Sequence, residues 1–334
     1  RMTFNSVKAI HQQDLTKSQN EQMRYQFKTE VMSGHIVRMV VAPDALAAKI
    51  AEQSGAQAIF SAGYATSAST LAMPDRGISD FSMALERCRE IINATNIPVF
   101  ADADTGYGDL DNVRRTVENY EAIGACGIFI EDQVWPKRCG HMAGKKVEPT
   151  EVLEAKIRAA KAARKHDDFL IMSRTDARAV YGLADAIDRS RRYQAAGADL
   201  IFIEAPQSVA ELEQIHAAFP QTPLMANMIE GGKTPLTTAT DLEQLGFNIV
   251  AQALLARNKR RSERSSRCAA RAALDLTSAA PATANTSQAQ PDYLPTETLL
   301  KSSRPNGLTW YPSTSLRNNA AAVGCARGTH SACC

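Results

Sequence analysis

No run in this chain approaches the ~20 consecutive apolar residues that a membrane-spanning helix needs, so nothing in it reads as a transmembrane segment. Residues 1–27 lack the apolar core of a secretory signal. Cysteine is sparse and odd in number, at 7, and its spacings match neither a zinc site nor a disulfide framework. A reduced compartment is therefore expected, cytoplasm or mitochondrial matrix. No glycine-rich dinucleotide fingerprint follows the first apolar run, which counts against a nucleotide-binding doubly wound sheet. Net charge is small, at +2, and is unevenly spread. From residue 257 onward there are 11 Lys or Arg against 4 Asp or Glu, so the last part carries +7 and the rest −5.

What is present is a rhythm. Eight apolar runs, at residues 36–42, 58–62, 99–104, 127–133, 169–176, 200–205, 224–229 and 247–253, alternate with helix-like text. Short Val/Ile/Phe/Ala runs fit strands buried on both faces of a parallel sheet. Strict β–α alternation predicts a parallel α/β fold. Eight units over such a span favour a closed (β/α)8 TIM-type barrel, with an open doubly wound sheet as the alternative. The barrel is expected to occupy residues 1–256. Residues 257–334 are basic and rich in Ser, Ala and Thr, and read as a disordered tail. A nucleic-acid-binding or acid-binding arm is the competing reading of that charge.

Polar residues recur where the apolar runs end. The third ends in Asp102 and Asp104, the fourth in Glu131 and Asp132, the fifth in Arg174 and Asp176, the sixth in Glu204, and the seventh carries Asn227. Active sites of such barrels sit on the face where the strands end. Two carboxylates two positions apart on a strand point the same way. Together they favour an oxygen-loving cation, Mg2+ or Mn2+, unless they cap the following helix. Arg174 could clamp a substrate carboxylate with its planar fork, or form ion pairs with Glu131, Asp176 or Glu204. The Ser61-Ala62-Gly63 turn offers a hydroxyl and N–H groups to an anion.

After Glu131 comes a loop reading Lys137-Arg138-Cys139-Gly140-His141. Positive charge lowers a thiol pKa by stabilising the thiolate, so Cys139 is the candidate acid/base. Lys137 and His141 are its candidate helpers. Cys88 and Cys126 sit in apolar text and read as structural, as does His35.

These motifs, with Pro74-Asp75-Arg76-Gly77, Asp102-Ala103-Asp104-Thr105-Gly106 and Arg174-Thr175-Asp176, resemble the isocitrate lyase/phosphoenolpyruvate mutase superfamily over residues 4–253. The resemblance implies a Mg2+-dependent retro-aldol or Claisen-type cleavage of a small 2-hydroxy di- or tricarboxylate, of the 2-methylisocitrate or dimethylmalate kind. It implies Asp102 as the direct metal ligand, with Asp75, Asp104 and Glu131 holding metal-bound waters. Cys139 would protonate the departing carbanion, and Arg174 would clamp a carboxylate. Ser61, Ala62, Gly63, Gly140, Glu204 and Asn227 would line the substrate pocket. A phosphorylmutase of the carboxyvinyl-carboxyphosphonate kind and an oxaloacetate hydrolase share the scaffold and are the alternative enzymes. An inactive barrel acting through the basic tail is the non-enzymatic one. The superfamily usually forms tetramers through a helix swapped after the eighth strand. Here basic, Ser-rich text replaces that helix, which reads as a changed frame or splice boundary near residues 250–256 and predicts a weakened assembly.

Overall fold

A computed structural model of the chain describes residues 18–140, 144–229 and 232–252. Eight parallel strands, hydrogen-bonded in chain order, close into one barrel. They are β1 Val37–Val41, β2 Ala58–Ser61, β3 Val99–Asp102, β4 Gly127–Glu131, β5 Leu170–Thr175, β6 Leu200–Ile203, β7 Leu224–Met228 and β8 Ile249–Gln252. Closure is made by β8 on β1, with Val37 beside Ile249 and Met39 beside Ala251. Among the described residues the α-helices are α1 Gln19–Met32, α2 Ala45–Gln53, α3 Gly63–Leu71, α4 Phe81–Ala94, α5 Leu110–Ala122, α6 Thr150–Ala163, α7 Leu183–Ala196, α8 Val209–Ala218 and α9 Ala239–Gln244. The expected (β/α)8 architecture is the one adopted.

The period-2 alternation of a strand sorts the apolar residues into two cores. Met39, Phe60, Phe100, Phe129, Met172, Phe202, Met225 and Ala251 fill the bore. Ile59, Ala101, Ile128, Ile171, Ile201 and Val250 face outward onto the helices. Truncating one of the buried aromatics to Ala would cost about 3–5 kcal/mol, because the surrounding barrel cannot collapse into the space.

Helix α1 closes the end of the bore from which the strands start. It begins at Ser18, whose side chain and Glu21 form a reciprocal capping box. Phe27 and Val31 enter the bore core, and the Phe27 ring stands 5.7 Å from that of Phe100. Arg24 Nε donates to Asp168 at 3.0 Å, and Asn248 Nδ2 donates to the Val31 carbonyl at 3.2 Å. Chemistry is thereby confined to the other end.

Two local readings change. Residues after Ser61 look like a small-residue loop, yet Gly63–Leu71 is a helix. Its Gly, Ser and Thr content gives little intrinsic preference. Burial of Ala65, Thr66 and Ser67 and a 3.1 Å bond between the Ser67 and Ser79 hydroxyls hold it instead. Asp104 does not continue β3, which ends at Asp102. Asp104 has φ of 47°, a left-handed conformation that Asp tolerates better than most residues. The strand-parity reason for pairing the two carboxylates therefore fails, although the two remain neighbours. Among the described residues no helix is long and apolar enough to cross a membrane. The expected tail, residues 257–334, lies outside the described residues, as does the text change beyond residue 252.

Candidate active site

Each rim residue on the strand ends stands two positions beyond a side chain that fills the bore. Phe100 precedes Asp102, Phe129 precedes Glu131, Met172 precedes Arg174, Phe202 precedes Glu204, and Met225 precedes Asn227. Four of them lie on their strands and Glu204 one residue past β6, and the alternation turns them toward the mouth.

Arg174 is at the centre. Its guanidinium lies 5.3 Å from the centroid of the Phe129 ring and 5.4 Å from that of Phe202, so ring faces support it from below. Nε is 3.3 Å from Glu131 and 3.1 Å from Asp176, and Nη2 is 3.3 Å from Glu204. All three internal ion pairs expected as the alternative to a substrate clamp are present. Burial opposes the charge, but Asp176, Glu131 and Glu204 outweigh it and hold the guanidinium protonated. Asn227 Nδ2 approaches Glu204 Oε2 at 3.5 Å.

The other half of the rim is acidic. Asp102 accepts from the Gly63 N–H at 2.9 Å and from the Asp104 N–H at 2.8 Å. The ammonium of Lys137 is 2.7 Å from Asp75 and 2.5 Å from Asp104, and only 2% of that side chain is exposed. Burial works against the Lys137 charge, yet Asp104, Asp102, Glu131 and Asp75 together keep it protonated. Burial pushes the Asp104 carboxyl up to about 7 against the pull of Lys137, with Asp102 and Asp75 adding to the rise. Glu131 is also raised well above the carboxylate range, by burial first.

Two expectations about this region change. Lys137 was expected to tune the neighbouring thiol, but its charge is engaged by carboxylates. The 61–63 turn was expected to present a hydroxyl and an N–H to an anion. The Gly63 N–H is instead given to Asp102, and Ser61 is buried at the end of β2. Ala62 is buried at the start of α3. The turn orients a carboxylate of the acidic half. A Cβ on Gly63 would lie 2.8 Å from Asp102 Oδ2 and 3.3 Å from both Asp104 Oδ1 and Lys137 Nζ, so only glycine leaves these groups their space.

The donor set fits a hard divalent cation. Asp75 Oδ1, Asp104 Oδ1 and both oxygens of Glu131 are buried without a hydrogen-bond partner. Asp104 Oδ1 meets Lys137 at ion-pair distance but without hydrogen-bond geometry. Five buried carboxylates, Asp75, Asp102, Asp104, Glu131 and Glu204, face two buried basic groups, Lys137 and Arg174. Fully ionised, the rim holds an excess of three negative charges. Among the described residues no three His, Cys, Asp or Glu side chains are drawn together closely enough to hold an ion alone. Mg2+ takes one or two carboxylates directly and keeps several waters, so unpartnered oxygens rather than a closed cluster are what it needs.

The loop after β4 reaches the same rim. The Cys139 N–H donates to the Asp75 carbonyl at 3.2 Å, which puts the half-buried Cys139 beside the acidic cluster. Gly140 lies against Arg174 and Glu204. His141 lies outside the described residues. Cys88 and Cys126 are fully buried, and burial raises both thiols to about 12, in keeping with a structural role. His35 is exposed, with Nδ1 2.9 Å from Glu243.

Asp132, read from the sequence as a residue of the mouth, lies behind the rim instead. Asp132 accepts from Thr175 Oγ1 at 2.6 Å, the Asp176 N–H at 2.9 Å and Tyr193 Oη at 3.0 Å, and burial raises its carboxyl to about 6. Lys145, buried on the same loop, was not singled out at all. Its signal was a basic pair, Lys145-Lys146, between a buried strand and its helix.

A barrel of this kind serves many chemistries, so kinship must be decided by sequence. The pattern that defines the phosphoenolpyruvate phosphomutase family matches residues 27–262. The chain belongs to the phosphoenolpyruvate phosphomutase family. Within it, the 2,3-dimethylmalate lyase of Eubacterium barkeri is 46% identical over 215 residues, spanning 64% of this chain and 74% of that protein. A solved 2,3-dimethylmalate lyase, described as a PEP mutase/isocitrate lyase superfamily member, superposes with a TM-score of 0.68 at 31% identity, over 79% of this chain and 85% of that one. Phosphonopyruvate hydrolase solved with oxalate and Mg2+ superposes with a TM-score of 0.62 at 30% identity, over 78% and 87%. Proteins named 2-methylisocitrate lyase and carboxyvinyl-carboxyphosphonate phosphorylmutase match as well. The family member described here is accordingly an enzyme of the lyase type, on a scaffold that relatives use for carbon–carbon lyase and mutase chemistry.

Proposed function

We propose that this enzyme cleaves a carbon–carbon bond in a small 2-hydroxy di- or tricarboxylate of the dimethylmalate or 2-methylisocitrate kind, with Mg2+ as cofactor. The observation that carries the proposal is the two-sided rim. A buried arginine fork faces a cluster of carboxylate oxygens that lack partners, and a cysteine-bearing loop lies across both.

In this reading Asp102 would hold the cation directly, and Asp75, Asp104 and Glu131 would hold its waters. When bound, Mg2+ supplies Lewis-acid polarisation of the substrate's hydroxyl and carboxylate oxygens. Arg174, already fixed by its ring floor and three carboxylates, receives a substrate carboxylate bidentately. Glu204 and Asn227 bound the far side of the pocket, and Gly140 covers it. The substrate hydroxyl loses its proton to solvent as the neighbouring carbon–carbon bond breaks, leaving a keto acid. The bonding pair goes to the carbon α to the departing carboxylate. Cys139 gives its thiol proton to that carbon, and the sulfur is reprotonated from solvent, which balances the proton lost from the hydroxyl. Lys137 keeps the acidic cluster from repelling an anionic substrate.

The test is a coupled keto-acid assay with Mg2+ on 2,3-dimethylmalate, 2-methylisocitrate and related malates. Pyruvate release from one of them, abolished by EDTA, is the expected result. Phosphonate turnover or oxalate release from oxaloacetate, with no cleavage of any hydroxy acid, would replace the lyase reading with one of the other family reactions.

A further inference from the structure

Behind the rim, one carboxylate joins the arginine fork to the cysteine loop. Asp176 is fully buried. Its Oδ2 accepts from Arg174 Nε and from Gln133 Nε2, each at 3.1 Å. Its Oδ1 accepts from Lys145 Nζ at 2.5 Å and from Arg174 Nη2 at 3.4 Å. Burial would raise this carboxyl, but Arg174 and Lys145 hold it below its usual range.

Both partners from the loop pass the contact on. Lys145 Nζ also donates to the carbonyl of Gly140. Gln133 closes a two-point ring with Arg138, donating from Nε2 to its carbonyl at 2.8 Å and accepting from its N–H at 3.0 Å. The segment from Arg138 to Gly140 is thus gripped at both ends from a single carboxylate. Cys139 is the residue between the grips. The clearance at Gly140 is small, since a Cβ there would lie 2.6 Å from Arg174 Nη2 and from Glu204 Cδ. Placing the segment and aiming the arginine are therefore one geometric problem, which Asp176 and Lys145 address together.

We propose that Lys145 and Asp176 are positioning residues that hold the Cys139 segment in register with the Arg174 fork, so that sulfur placement and carboxylate grip are set by one buried ion pair. The proposal rests on the lyase reading for its catalytic meaning but not for its structural content. Neither residue touches substrate. Lys145 acts through the Gly140 carbonyl, and Asp176 acts through Arg174 and Gln133.

The test compares Lys145→Met and Lys145→Arg with wild type in the full-length protein. The primary readout is the rate of iodoacetamide modification at the Cys139 peptide, followed by mass spectrometry, with circular dichroism as the fold control. Loss of one charge-assisted bond to a buried group should speed modification in Lys145→Met by about tenfold. Lys145→Arg, which keeps the charge and a donor, should restore most of the protection. In the keto-acid assay Lys145→Met should lower kcat by about 100-fold, as for a misplaced catalytic group, with KM changed far less. If Lys145→Met does not fold, Lys145→Gln takes its place with the same expected direction. Equal modification rates in folded wild type and variant would overturn the clasp. Faster modification in a protein that cleaves no hydroxy acid would keep the clasp and sink the lyase reading.

Discussion

Lys137→Met removes the positive charge that, among the described residues, is in contact with Asp75 and Asp104. The ammonium is buried and lies 2.7 Å and 2.5 Å from those carboxylates. Breaking a buried pair from one side costs roughly 3–5 kcal/mol, because the remaining charge is left uncompensated. For a domain of this size each kcal/mol lowers Tm by about 2–4 °C, so a fall of roughly 6–20 °C is expected. The same substitution leaves the oxygen atoms with a greater need for a cation. A ligand at 100 times its Kd adds about 2.7 kcal/mol of stability. Mg2+ should therefore raise the Tm of Lys137→Met by more than it raises that of wild type. Differential scanning fluorimetry across a MgCl2 series, with NaCl matched for ionic strength, reads both quantities. An unchanged Tm in the variant, or equal Mg2+ shifts in the two proteins, would refute the view of Lys137 and a divalent cation as alternative neutralisers of one acidic cluster.

Cys139→Ser should reduce turnover by at least about 100-fold, since general acid catalysis is worth roughly 10²–10⁴, while Mn2+ affinity measured by electron paramagnetic resonance stays at the wild-type value. Arg174→Lys keeps a charge but loses the planar fork and its ring stacking. Its kcat/KM should fall about 100-fold or more, and oxalate binding measured by calorimetry should weaken with it. Tyr193→Phe removes the hydroxyl that is 3.0 Å from Asp132, and urea denaturation should show a loss of about 1–3 kcal/mol with little effect on KM.

The barrel and much of its rim were legible because both follow from strand alternation. Phe129 and Glu131, or Phe202 and Glu204, differ by two positions, and that spacing alone predicts which is floor and which is mouth. What sequence hid was set by contacts between distant segments. Helix α3 has weak propensity and forms because tertiary burial overrides it. Asp104 reaches its neighbours through a left-handed residue rather than through strand parity. The Gly63 N–H looks available in one dimension and is taken in three, by Asp102. Lys145 is one basic residue in a basic loop, and its partner Asp176 comes 31 residues later. No local pattern marks such a pair.

The phenylalanines beneath Arg174 separate two halves of the molecule that answer to different demands. Above them stand Asp102, Glu131, Arg174 and Glu204; below them helix α1 and its stopper residues Phe27 and Val31 serve cohesion. Rings hold a guanidinium by their faces without adding a competing anion, so the layer acts as electrical insulation as well as packing. Substitutions at the mouth that leave its buried ion pairs intact should thus alter substrate preference without loosening the foundation. Laboratory selection for a new hydroxy acid could proceed on the upper storey alone.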